Sequence, residues 1–253
     1  MLRLSANLGF LWTDRPLPDA IRAAARAGFD AVECHWPYET DAAELRHALT
    51  ETNLPMISLN TSRGSRPDDF GLAALPDRMD EARAAIDEAF AYGSAIGAAF
   101  VHVLAGRAEG PEAAEAFEAN LGHACDLAAE KAMTVLIEPL NPRDAPGYFL
   151  GDFATAVAIV RKIGRPQLKI LFDCYHLQIT GGDLICRFAD NRELIGHVQF
   201  AGVPGRDEPD RGEVAYERLL PNLAGLGYAG CFGAEYRPDG ATEASLSWMK
   251  MFR

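Results

Sequence analysis

TVLIE at 134 to 138, LKILFD at 168 to 173, IGHVQ at 195 to 199 and GCFGAE at 230 to 235 are four short apolar runs. Each closes on a side chain that carries an oxygen: Glu138, Asp173, Gln199 and Glu235. Runs of that length, bounded by turn residues and separated by helix-compatible stretches, read as parallel strands buried on both faces. Working outward, LRLSANLG (2 to 9), AVECH (31 to 35), PMISLN (55 to 60) and AFVHVLA (99 to 105) have the same character, which extends the count to eight.

The stretches between them have helical period. Met79, Ala82, Ile86, Ala89, Gly93 and Ile96 recur at three- and four-residue steps, as do Ala114, Phe117, Leu121, Ala124 and Ala128, and both stripes predict faces turned to a core. Asp41 and Asp152 stand where N-caps are needed, Gly28 and Gly97 where helices end, and Pro55 and Pro166 open the following segments. Strand then helix, eight times, predicts one (β/α)8 barrel over residues 1–253, a usual length for that fold. A doubly wound open sheet would place a glycine-rich phosphate turn after its first strand. NLGFLWTD (7 to 14) has a single glycine, so the barrel is preferred.

Composition narrows the function classes. The formal charge of −12 and pI near 4.9 argue against a nucleic-acid partner, which Lys and Arg would have to attract. No apolar stretch approaches the ~20 residues of a spanning helix, and LSANLGFLW is too short for a secretory leader, so a cytoplasmic protein away from membranes is expected. Five scattered cysteines without a CxxC pair read as reduced and packed. The acidic stretches at 109 to 118 and 207 to 213 read as solvated faces and loops.

In a barrel of this kind the functional groups stand on the C-terminal rim, where Glu138, Asp173, Gln199 and Glu235 fall. Alternation puts Leu136, Leu171, His197 and Gly233 one layer below, as a mostly apolar floor. Three crowded carboxylates repel one another unless a cation neutralises them, and a Glu, Asp, Gln, Glu set of oxygens suits Mg²⁺ or Mn²⁺ better than zinc. In an octahedral site four protein oxygens leave two positions for a chelating hydroxy-carbonyl compound.

The segments IEPLNPRDAPGYFL (137 to 150), FDCYHLQITGGDL (172 to 184), GHVQFAGVPGRDEPDRGE (196 to 213) and GAEYRPDGATEASLSW (233 to 248), with NTSRG, GLAALPDR and VHVLAG, resemble the hydroxypyruvate isomerase family of xylose isomerase-like TIM barrels. The resemblance implies that Glu138, Asp173, Gln199 and Glu235 are metal ligands, with Glu138 and Glu235 also the acid/base pair. It implies substrate-binding roles for His176 and Arg206. Physically, a loop histidine can donate to a substrate oxygen, and an arginine can clamp a carboxylate with parallel hydrogen bonds; an ion pair of Arg206 with Asp207 or Glu208 is the alternative. Two departures bear on substrate preference: Gly202 stands where an aspartate is expected, and Cys174 where a bulkier apolar residue is common.

Among the other polar rim residues, Glu33 and His35 could line the pocket directly or support it, with Cys34 facing away. His102 and His197 read as hydrogen-bonded core histidines, and His47 and His123 as residues on helices. Trp12, Trp36 and Phe70 lie in strand-to-helix loops, where aromatics can close a pocket or simply pack. The resulting expectation is an isomerase of a small hydroxy-keto acid, hydroxypyruvate to 2-hydroxy-3-oxopropanoate, with a 2-oxotetronate isomerase or ketose 3-epimerase as alternatives. A non-catalytic binding barrel and a metal-dependent endonuclease are the readings from other classes, the latter disfavoured by the acidic charge. Association into a homo-oligomer is compatible with the fold.

Overall fold

In the computed structural model, which describes residues 1–253, the apolar runs form a ring. Strands β1 (Leu4–Asn7), β2 (Ala31–Glu33), β3 (Ser58–Asn60), β4 (Phe100–His102), β5 (Thr134–Ile137), β6 (Leu168–Asp173), β7 (Ile195–Phe200) and β8 (Phe232–Ala234) are all parallel. They pair in the order β2-β1-β8-β7-β6-β5-β4-β3. Between β2 and β3 the Ile57 N–H donates to the Val32 carbonyl at 2.7 Å and the Cys34 N–H to the Ser58 carbonyl at 3.0 Å, bringing the two ends of the sheet together.

Helices α1 (Leu17–Ala27), α2 (Ala42–Thr52), α3 (Met79–Ile96), α4 (Pro111–Lys131), α5 (Phe153–Ile163), α6 (Cys174–Thr180), α7 (Leu184–Asp190) and α8 (Tyr216–Gly225) wrap the ring. Their ends follow the expected chemistry. Asp41 accepts from the Ala43 and Glu44 N–H groups, Asp152 from that of Thr155, and Gly28 and Gly97 close α1 and α3. The predicted stripes are buried, except that Met79 and Ala114 are half-buried and Ala113 takes the inner place on α4.

The strict alternation is modified twice. Two short helices, α6 and α7, follow β6, and after β8 the chain ends in a 3-10 segment, Thr242–Met251, rather than an α-helix. Trp248 of that segment stacks edge-on with Phe29, Phe200 and Tyr236. Trp12, expected to close the pocket or pack on an exposed loop, is instead buried beside Phe29, with its indole N–H on Glu243 at 2.8 Å. An indole whose polar edge finds a partner is well placed in a core.

Sixty-nine buried residues form one continuous cluster between strands and helices, so a single core holds all eight repeats in place. Each large apolar side chain removed from water there contributes ~1.5–3 kcal/mol. That rigidity fixes the strand ends, which carry the polar groups.

Candidate active site

Residues paired across parallel strands face the same side of the sheet, and the register places Asp173 beside Gln199 and Gln199 beside Gly233. Glu138 and Glu235 lie one step beyond β5 and β8, which stand three places apart in the ring. Both reach into one cavity of about 320 Å³, which His176, Arg206, His35 and His102 also line. Asp173 and Gln199 are buried beneath it. All six residues singled out in the sequence therefore gather at the C-terminal mouth of the barrel.

The floor is not mostly apolar as expected. Glu33 is fully buried inside the ring, where its carboxylate accepts from Ser5 Oγ at 2.7 Å and from Gln199 Nε2 at 2.7 Å, and lies 3.1 Å from His197 Nε2. Gly233 leaves the space for it: a Cβ there would sit 2.2 Å from Glu33 Oε1. A carboxylate only accepts, so the Gln199 amide must present its nitrogen downward. Its Oε1 is left without a partner, facing up. Glu33 thus supports the site, His197 is a hydrogen-bonded core histidine, and Cys34 faces away, against Met56.

Glu138 Oε1 and Asp173 Oδ2 are likewise buried without hydrogen-bond partners. Three orphaned oxygens in one place fit a divalent cation with a preference for oxygen. Glu138, Asp173 and His176 each offer a ligand atom within 4.8 Å of one another. His176 is nevertheless arranged as a donor. Its Nδ1 accepts the Asn141 backbone N–H at 3.0 Å, which puts the proton on Nε2, 3.5 Å from Asp173 Oδ2 and 3.9 Å from Glu138 Oε1. A protonated ring nitrogen cannot ligate, which favours Gln199 over His176 in a donor set.

Glu235 is the opposite of Glu138. Its Oε1 accepts from Asn7 Nδ2 at 2.9 Å and lies 2.9 Å from His35 Nε2, while Oε2 meets the Arg206 guanidinium at 2.6 Å. Arg206 also stands 3.7 Å from Asp173 and 3.6 Å from Asp144, with its Cζ 4.8 Å from the Phe10 ring centroid and 5.0 Å from that of Tyr175. It pairs with neither Asp207 nor Glu208. Gly202 shapes the loop that presents it: the Arg206 N–H donates to the Gly202 carbonyl at 2.7 Å, and a Cβ on Gly202 would lie 2.2 Å from Asp207 Oδ1. The aspartate expected at 202 has no room there.

Charge follows this geometry. Burial, then the charges of Glu235 and Asp173, pushes Glu138 well above the usual carboxylate range, and burial carries Asp173 up to about 7 against the pull of Arg206. Burial would also raise Glu235, but Arg206 and the His35 hydrogen bond outweigh it and hold that carboxyl down at about 2. Burial lowers His102 to about 4 and His176 well below its ordinary value, so both are neutral imidazoles. Burial opposes the charge on Arg206, yet the surrounding carboxylates keep it protonated.

Several working residues were not singled out in the sequence. Asn7 and Asn60 end β1 and β3 with the same polar-after-apolar signal as the four acids, and Asn7 holds Glu235. Asn141 sets the His176 tautomer with both its backbone and its side chain, at 3.0 and 2.8 Å. His102, read as a hydrogen-bonded core residue, instead lines the cavity with Nε2 unpartnered and Nδ1 3.6 Å from Glu138. Trp36 and Phe70 line the cavity as expected of pocket-closing aromatics.

A parallel barrel with acids on its rim defines a class, and the sequence relationships specify it. The family model described as xylose isomerase-like TIM barrel matches residues 21–252, and the chain belongs to that family. It is 42% identical to the 2-oxo-tetronate isomerase of Cupriavidus necator, over 100% of this chain and 99% of that protein. It is 34% identical to the hydroxypyruvate isomerase of Escherichia coli over the full length of both. A crystal structure from Brucella melitensis titled AP endonuclease, family 2, superposes with a TM-score of 0.96 at 37% identity, covering 100% of both chains. The curated relatives are isomerases, and this chain is an isomerase-type enzyme of their family. No helix is long and apolar enough to cross a membrane.

Proposed function

We propose that the chain is a metal-dependent isomerase interconverting hydroxypyruvate and 2-hydroxy-3-oxopropanoate by proton transfer between Glu138 and Glu235. The observation that carries this reading is the placement of two glutamates on different walls of one cavity, with the unpartnered oxygens of Asp173 and Gln199 beneath and that of Glu138 beside them. Transfer of a proton between adjacent carbons needs a group to take it and a group to return it or to protonate the neighbouring oxygen. Glu138, Asp173, Gln199 and Glu235 would hold Mg²⁺ or Mn²⁺, which when bound supplies electrophilic stabilisation of the charge that develops on substrate oxygens.

The remaining roles belong to the chain itself. His176, with its proton fixed on Nε2, donates to a substrate oxygen without exchanging its own charge. Arg206 and His35 keep Glu235 ionised, and Trp36 and Phe70 supply apolar wall at the cavity mouth. A cavity of about 320 Å³ suits a small hydroxy-keto acid. Isomerisation of the four-carbon 2-oxotetronate is the second reading, favoured by the identity to the Cupriavidus necator relative.

The test is a panel of three- to six-carbon hydroxy-keto compounds with Mg²⁺ and Mn²⁺. Hydroxypyruvate is expected to turn over fastest, with deuterium entering the product from heavy water. Glu138→Gln and Glu235→Gln should each cost about 10²–10⁴ in kcat in folded protein. Full activity in Glu138→Gln would end the assignment.

A further inference from the structure

The loop between β3 and α3 brings to the cavity an arginine that the proton transfer leaves unused. Arg63 lines the cavity with Glu138 and Glu235, and its guanidinium carbon lies 5.1 Å from the Trp36 ring centroid and 5.0 Å from that of Phe70. Arg63 is exposed at the cavity mouth, so its guanidinium is open to a ligand entering from solvent. Asp69 and Glu81 are taken by Arg78, and Glu235 by Arg206; Arg63 has no carboxylate partner.

Its setting is built. Trp36 is fixed by its indole N–H on the Thr61 carbonyl at 3.1 Å, and Phe70 packs edge-on to Tyr148 with centroids 5.9 Å apart. The Gly71 N–H donates to the Arg63 carbonyl at 2.8 Å, and the Arg66 N–H to Asp69 at 2.8 Å. Gly71 has φ +110, and a Cβ there would meet the Leu104 backbone at 2.6 Å, so the loop lies flat on the rim in a way other residues would prevent. Two rings against a guanidinium cover part of its faces and leave its N–H edge as polar surface, and that edge matches a carboxylate with two parallel hydrogen bonds. Other rim arginines are less suited. Arg107, on Phe70, already donates to the Pro146 and Asp68 carbonyls, and Arg237 contacts one ring, that of Phe10.

We propose that Arg63, packed against Trp36 and Phe70, binds the substrate carboxylate and selects hydroxy-keto acids over uncharged keto sugars. The inference rests on the reading of the site as a hydroxy-keto acid isomerase. Arg206, facing Glu235, is then free of that task.

The test compares wild type, Arg63→Gln, Arg63→Lys and Arg237→Gln, all Mn²⁺-loaded, for calorimetric binding of tartronate and for kcat/KM on hydroxypyruvate and on dihydroxyacetone. Arg63→Gln should weaken tartronate binding and kcat/KM on hydroxypyruvate about 10- to 100-fold. Mn²⁺ affinity and any rate on dihydroxyacetone should be unchanged, and Arg63→Lys should recover part of the loss. If wild type turns over neither compound but tartronate binding still depends on Arg63, the substrate reading fails and the anion site stands. Wild-type tartronate affinity in Arg63→Gln, no tartronate binding by wild type, or a loss confined to Arg237→Gln would overturn the assignment.

Discussion

Glu33 lies beneath the cavity, and removing it tests whether Gln199 belongs to a cation site. Glu33→Ala takes away the acceptor for Ser5, Gln199 and His197 at once. Each buried donor left unpaired costs ~1–3 kcal/mol, and Gly233 supplies no atoms to fill the gap. With water able to satisfy Ser5 and His197 in part, the expected loss of folding stability is about 3–5 kcal/mol. The Gln199 amide would then be free to turn, presenting nitrogen as often as oxygen, and one buried negative charge would be gone from beneath the site. Losing a partner that orients a ligand typically costs ~10–100-fold in metal affinity.

Glu33→Gln separates orientation from charge. Its amide nitrogen can face Ser5, whose hydroxyl reverses to accept, while its oxygen still takes the Gln199 N–H. Mn²⁺ affinity is therefore expected in the order wild type, Glu33→Gln, Glu33→Ala, with folding checked by urea denaturation and Mn²⁺ binding by calorimetry. A Glu33→Ala protein that is folded and binds Mn²⁺ within about twofold of wild type would refute the reasoning, since it predicts at least a tenfold loss.

The remaining predictions concern charge and packing. In the metal-free protein Asp173 is raised from 3.8 to about 7 by burial and Glu138 is raised as well; stability from such groups is complete below the unfolded value and is lost as pH rises through the folded one. The Mn²⁺-induced rise in Tm should accordingly grow between pH 5 and 8, and a pH-independent gain in scanning calorimetry would contradict the cluster. Arg78 lies 2.6 Å from both Asp69 and Glu81, so Arg78→Met should cost ~1–3 kcal/mol in urea by leaving half-buried Asp69 without its cation. Because Arg78 holds the Asp69 carboxyl below its ordinary value, that difference between wild type and variant should shrink as the pH falls. Gly202→Asp, which restores the residue the family resemblance leads one to expect, should cost about 1–3 kcal/mol by overpacking against Asp207; unchanged stability would show that the loop relaxes freely.

The ring was legible because strands covered on both faces appear as uninterrupted apolar runs, and because Asp41, Gly28 and Gly97 mark helix ends by local chemistry alone. The 3-10 ending was not, since Thr242–Met251 is held by Trp248 packing on Phe29 and Phe200, contacts made across more than a hundred positions in the first case. At the site, the positions of Glu138, Asp173, Gln199 and Glu235 were readable from strand ends. Their states were not. Glu33 and Gln199 are 166 residues apart, Asn7 and Glu235 are 228 apart, and no local pattern announces such partners. Arg63 escaped notice because an exposed loop arginine has no signature until the rings it packs against are located.

The two glutamates show how environment divides like residues. Each follows a buried strand by one position, and each is buried in the same cavity. Glu235 receives Asn7, His35 and Arg206, whereas Glu138 Oε1 receives nothing, with His176 Nε2 3.9 Å away and His102 Nδ1 3.6 Å from Oε2. The site is therefore asymmetric before any ligand arrives: one carboxylate is held in place by donors, and the other is free to change partner. Of the three groups that hold Glu235, Asn7 lies on a barrel strand and His35 follows one closely, but Arg206 comes from the loop that Gly202 and Asp207 shape. Position is set by the rigid ring, and the difference in charge between the two glutamates by a loop packed over its mouth. Changes in that loop can therefore shift the acid/base balance without moving either glutamate.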